Sequence, residues 1–110
     1  MGAKAERFQL VLTTAGSEEQ AQSIARELVK RRLAACVSIV SQVCSVYMWK
    51  GKVIEEDEKL LIIKSDAASF PRLQDAIHEL HTYEVPEILA VPIRDGDPKY
   101  LEWLGDCLSG

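Results

Sequence analysis

His81, Glu84 and Glu87 bring an imidazole and two carboxylates within seven residues of one another, the donor types that hold a borderline or hard divalent cation. Two readings of each stay open. His81 is either a metal ligand helped by Glu84 or Glu87, or a helix C-terminal residue favoured by the helix dipole. Glu84 and Glu87 flank Val85-Pro86, where they either bind a hard cation or accept hydrogen bonds from a neighbour. Cys36 is a soft-metal ligand or a small buried hydrophobe. Cys44 has the same strand parity as Cys36, but eight residues separate them by roughly 26 Å, so they cannot chelate one ion within one chain. Across a symmetric interface, copies of Cys44 could converge. Cys107 reads as packing and His78 as solvated. Glu55, Glu56, Asp57 and Glu58 form an acidic run in a strand, a composition that fits a bulge, a wet edge or a solvated patch. Tyr47, Trp49, Tyr83 and Trp103 read as core or interface anchors. No nucleophile stands beside a base, which points away from an enzyme.

The elements that must position these residues are legible from periodicity. Phe8 to Thr14 reads as a first strand, ended by Ala15-Gly16. Ser17 and Gln20 have capping-box spacing, and Ala21, Ile24, Ala25, Leu28 and Val29 predict a helix from Glu18 to Arg32. Ala35 to Trp49 and Val53 to Lys64 predict a long hairpin turning at Lys50-Gly51-Lys52. Ser69 is the expected cap of a second helix, with Pro71 in its first turn and Phe70, Leu73, Ala76, Ile77 and Leu80 on its apolar stripe. At ~100° per residue His81 lies about 75° from the centre of that stripe and His78 about 135°. Ile88 to Ile93 reads as a strand, and Asp97-Pro98 opens a last helix. The order βαββαβ plus α is an α+β domain over residues 1–110, most simply a four-stranded antiparallel sheet with helices on one face.

A chain of 110 residues with net charge −4 has room for one core, and its scattered basic residues argue against nucleic acid. No apolar run is long enough to span a membrane, and residues 1–7 are polar without a signal-peptide core. Glu6 stands where a lipidation motif beginning at Gly2 needs Ser or Thr. With three cysteines and no C-x-x-C pair, a cytoplasmic protein with reduced thiols is expected. The hairpin is too long for this small body, since ~15 residues span roughly 50 Å. Its tip carries Tyr47, Met48, Trp49, Val53 and Ile54 on both faces of the ribbon. Leu60, Leu61, Ile62 and Ile63 run without alternation, which predicts burial on both sheet faces. Sister copies are the expected cover.

Three stretches carry a resemblance. Ser45-Val46-Tyr47-Met48-Trp49-Lys50-Gly51-Lys52, Arg31-Arg32-Leu33-Ala34-Ala35-Cys36 and His81-Thr82-Tyr83-Glu84-Val85-Pro86-Glu87-Ile88 resemble the CutA divalent-cation tolerance family, and the similarity runs from Phe8 to Leu108. The resemblance implies a ferredoxin-like domain assembled as a homotrimer, similar in architecture to PII signal-transduction proteins. It also implies a non-enzymatic role in metal tolerance, with Cu(II) or another divalent ion as the cofactor to expect. The alternative is a PII-like scaffold that takes a small molecule or protein partner in its intersubunit clefts. Members credited with copper binding use a cysteine ending the first strand and two histidines ending the second helix. Thr13, Leu80 and His81 stand at those positions here, so one ligand of three is kept. The chain lacks the phosphate-holding arginine of acylphosphatases, the C-x-x-C of copper chaperones on this fold, and the strand aromatics of RNA-recognition domains.

Overall fold

β1 (Phe8–Ala15) is a run of β formers preceded by one turn of 3-10 helix, and it ends where Gly16 and Ser17 turn the chain into α1 (Glu18–Lys30). These elements are taken from a computed structural model that describes residues 5–109. The reading of a polar, unlipidated start at residues 1–4 lies outside the described residues. Ser17 caps α1 by accepting from the Gln20 backbone N–H at 3.1 Å. The other half of the expected capping box does not form, because the Gln20 side chain donates to the Leu80 carbonyl at 3.1 Å and ties the two helices together.

The first helix stops earlier than its apolar spacing predicts. Arg32 adopts a left-handed conformation at φ 58°, and the Leu33 N–H reaches back to the Leu28 carbonyl while that of Arg32 reaches Val29. This is a Schellman stop made without glycine. The Arg32 guanidinium donates to the Cys107 carbonyl, which offsets part of the strain.

β2 (Cys36–Trp49) and β3 (Lys52–Asp66) pair antiparallel through a two-residue turn at Lys50 and Gly51, both at positive φ, as a type I′ hairpin requires. Val40 opposes Leu60 and Val43 opposes Glu58, so Ser41 and Gln42 face one residue, Lys59. That bulge falls where β1 ends, since Ala15 is the last β1 residue paired to β3 and its partner is Lys59. Beyond it the ribbon has two strands only.

α2 (Phe70–Leu80) follows, then β4 (Leu89–Pro92) and α3 (Pro98–Leu108), and the sheet order is β2-β3-β1-β4. Ser69 makes no side-chain cap on α2. Instead its own N–H donates to Asp66 Oδ1 at 2.9 Å. Asp97 does cap α3, accepting from the Tyr100 N–H.

Strand parity divides the core. Val11, Ala15, Leu61 and Ile63 point to one face and are buried with Ala21, Ile24 and Leu28 of α1 and Leu73, Ala76 and Ile77 of α2. Phe8 has the opposite parity and is buried with Leu101 and Leu104, so α3 crosses the second face at its Phe8 end. The expectation of helices on one face thus holds for α1 and α2 and not for α3. The rest of the second face keeps Leu10, Leu12, Leu60 and Ile62 half-buried and Val40, Leu89 and Val91 exposed.

Candidate functional site

His81 follows the last residue of α2, and its backbone N–H closes the helix on the Ile77 carbonyl. The chain then turns sharply. Its ring is 8% exposed and lies against the end of β1. Nε2 is 2.6 Å from the Thr14 carbonyl, which can only accept, so Nε2 carries the proton. Nδ1 accepts the Tyr83 backbone N–H at 3.0 Å. Both nitrogens are therefore in use, and the ring fixes the start of the 81–88 segment.

Tyr83 stacks tilted on His81 with ring centroids 4.5 Å apart. Its hydroxyl donates to Glu58 Oε2 at 2.8 Å, joining the segment to the base of the β2–β3 ribbon. The ring passes so close to Gly16 that an added Cβ would lie 3.1 Å from the hydroxyl. Burial first, and the Glu58 carboxylate second, push the Tyr83 phenol well above its ordinary value. The Glu56 carboxylate, with a smaller part from desolvation, raises that of Tyr47.

In front of them a cleft of about 680 Å³ runs along the ribbon, from Thr14 and Glu58 at its base to Trp49 beside the turn. Tyr47, Trp49, Ile54, Glu56 and Glu58 share one side of the ribbon by parity and register, and they line it together with Thr14 and the segment residues Tyr83, Glu84, Val85 and Glu87. Val46, Met48 and Val53 point to the other side. The residues expected at an interface thus fall on two faces, with Met48 and Val53 at 65% and 66% exposure on the outer one and Trp49 at 59% on the cleft side.

The metal candidates are not brought together as a set. Glu84 and Glu87 both line the cleft, whereas His81 is not among its lining residues and has both nitrogens engaged. Cys36 opposes Lys64 in the register while Thr14 opposes Leu60, roughly 13 Å further along β3. The Cys36 thiol is 3.8 Å from Lys64 Nζ. Among the described residues no group of three His, Cys, Asp or Glu side chains is placed to hold a metal ion. Thr13 is fully buried with an unpaired hydroxyl, and Leu80 packs against the core. As they stand, Thr13, Leu80 and His81 do not fit Cu(II), which needs thiolate or free imidazole donors.

Glu58 is the residue that sequence reasoning misplaced. Glu55, Glu56 and Asp57 are exposed, as expected of a solvated run, but Glu58 is 6% exposed. Alternation puts Ile54, Glu56 and Glu58 on a side with Tyr47 and Trp49 but does not separate Glu58 from the exposed Glu56.

The CutA1 divalent ion tolerance protein family matches residues 9–107. The chain belongs to this family. The divalent-cation tolerance protein CutA of Thermus thermophilus is 49% identical over 96 residues, covering 87% of this chain and 93% of that protein. Protein CutA of Mus musculus is 43% identical over 91 residues, covering 83% of this chain and 51% of the mouse protein, so the chain spans about half of that relative. The structure of CutA from Synechococcus elongatus superimposes with a TM-score of 0.93 at 32% identity, covering 99% of this chain and 96% of the other. The CutA1 family is named for divalent ion tolerance and not for a reaction. No described helix is long and apolar enough to cross a membrane.

Proposed function

We propose that this CutA1 family member is a non-enzymatic homotrimer that works as a PII-like scaffold, with the cleft along the ribbon as its ligand site. The observation that carries the reading is the cleft's lining, three aromatic side chains and four carboxylates around a cavity large enough for a small molecule. Assembly is supported by shape and surface. The molecule measures 52 × 25 × 23 Å, and its long axis comes from a two-stranded ribbon too thin to be stable alone in water. Val40, Leu89 and Val91 are exposed apolar groups on the second sheet face, and Met48 and Val53 are exposed on the opposite side of the ribbon, so sister copies have apolar surface to cover on both. Three copies, and a cytoplasmic setting, rest on the resemblance and on the reduced cysteines.

A second reading is direct binding of a divalent ion. It is favoured by the family's name and by the carboxylates of Glu84 and Glu87 in the cleft lining. Thermal shift separates the two. The scaffold reading expects an organic ligand to raise the melting temperature of the wild type and not of Trp49→Ala, with Cu(II), Zn(II) and Ni(II) acting alike on both. Stabilisation by a metal alone, lost in Glu84→Gln/Glu87→Gln, would replace it with the metal reading.

A further inference from the structure

We propose that the cleft takes a linear organic polycation, a diamine or polyamine whose ammonium groups are spaced along an alkyl chain; this rests on the cleft being the ligand site. The charge of the lining sets the sign of the ligand. Glu56, Glu58, Glu84 and Glu87 face the cavity with no Lys, Arg or His among the lining residues. The ion pairs among the described residues involve none of the four. Nucleotides and organic acids would meet like charge, so the ligands of an anion-binding scaffold are disfavoured.

Glu58 adds a separate reason. It is more than nine-tenths buried, yet its hydrogen bond comes from a neutral phenol, Tyr83, and takes up one carboxylate oxygen. A buried carboxylate is ordinarily paired with a cation. A ligand ammonium reaching the floor of the cleft would supply one.

Spacing then separates an organic polycation from a metal ion. An ion needs several donors converging within bonding distance, and no three of the described acidic, thiol or imidazole groups do so. Glu56 and Glu58 are alternate residues of one strand, about 6.6 Å apart, and Glu84 and Glu87 lie on the facing segment. Charges distributed along a chain satisfy such a set, whereas a point charge satisfies one member. Tyr47, Trp49 and Tyr83 line the same cleft and supply aromatic and apolar surface for the methylenes between the ammonium groups, and the Trp49 ring already has a cation, Lys50 Nζ, 5.9 Å from its centroid.

Calorimetric titration of the assembled protein with spermidine at about 0.15 M salt tests this. The expected result is saturable binding, weakened at least about tenfold, or about 1.4 kcal/mol, in Glu58→Gln and in Trp49→Ala. It should be unchanged in Glu102→Gln, an exposed carboxylate of α3. Should Glu58→Gln fail to fold, Glu84→Gln/Glu87→Gln carries the same test. Diacetylated spermidine, which keeps the chain and loses the end charges, should not bind. Absence of saturable heat with spermidine, or equal weakening in Glu102→Gln, would overturn the proposal. Binding only to a dissociated Met48→Glu/Val53→Glu variant would also overturn it and place a sister copy's basic side chain in the cleft. A neutral or anionic ligand that binds in a Trp49-dependent way would remove the polycation and leave the cleft. If no ligand's binding depends on Trp49, the scaffold reading itself falls.

Discussion

Below the bulge at Ser41 and Gln42, β3 runs between β1 and β2 and sends Leu61 and Ile63 fully buried beneath two helices. Above it the same two strands continue as a bare ribbon whose outer face shows Met48 and Val53 to solvent. Backbone pairing is continuous apart from that one irregularity, so hydrogen bonds do not distinguish the halves. What differs is side-chain burial, which the lower half finds within its own chain and the upper half does not. One hairpin thus serves as core at one end and as an open surface at the other, with the cleft running from the junction along the upper half.

Substitutions in the two halves should have different consequences. Ile63→Ala empties a fully buried site and should lower the unfolding free energy by about 2–5 kcal/mol in guanidinium titration. Met48→Glu/Val53→Glu should leave the far-UV circular dichroism of the chain native while dispersing the assembly. Loss of secondary structure in that double variant would mean that the ribbon supports the body as well.

At the junction, His81→Ala removes the partners of both the Thr14 carbonyl and the Tyr83 N–H. A loss of about 2–3 kcal/mol is expected by the same titration. Unchanged stability would mean that the ring does not brace the segment. Tyr83→Phe leaves Glu58 buried without its donor and should cost about 1–3 kcal/mol at neutral pH. Its pH dependence carries a sign. A phenol raised in the folded state contributes stability that is complete below its ordinary value near 10.0 and is lost as pH rises beyond it. The wild type should therefore weaken above about pH 10 and Tyr83→Phe should do so less steeply. Some slope should persist, because Tyr47 and Tyr100 are raised as well.

The smallest expected effect is at the tip. Gly51 sits at φ +79° with open space around it, so Gly51→Ala meets backbone strain and no clash. About 1 kcal/mol should be lost from the ribbon, read as faster amide exchange at Trp49 and Lys52 with exchange at Leu61 unchanged.

The body was legible because its signals are periodic. The run of β formers marked β1, helical spacing marked the buried faces of α1 and α2 except for Val29, which is 43% exposed, and glycine marked the turn at Lys50-Gly51. The failures have local causes. Arg32 stops α1 in a conformation that only glycine or asparagine would have advertised. Ser69 looked like a cap because of its type, but Asp66 lies three residues earlier and captured its N–H. The side taken by α3 depends on the parity of Phe8 relative to Val11, which a three-residue shift reverses. Glu58 was hidden among four acids whose composition reads as solvated, and only its partner Tyr83, distant in sequence, distinguishes it. His81 was recognised as a boundary residue, but spacing alone does not reveal that both of its nitrogens are used.

Light scattering on the purified chain at micromolar concentration bears most directly on the claim that the upper ribbon is covered by sister copies. The account predicts a mass of three chains. A folded species with the mass of one chain would contradict it.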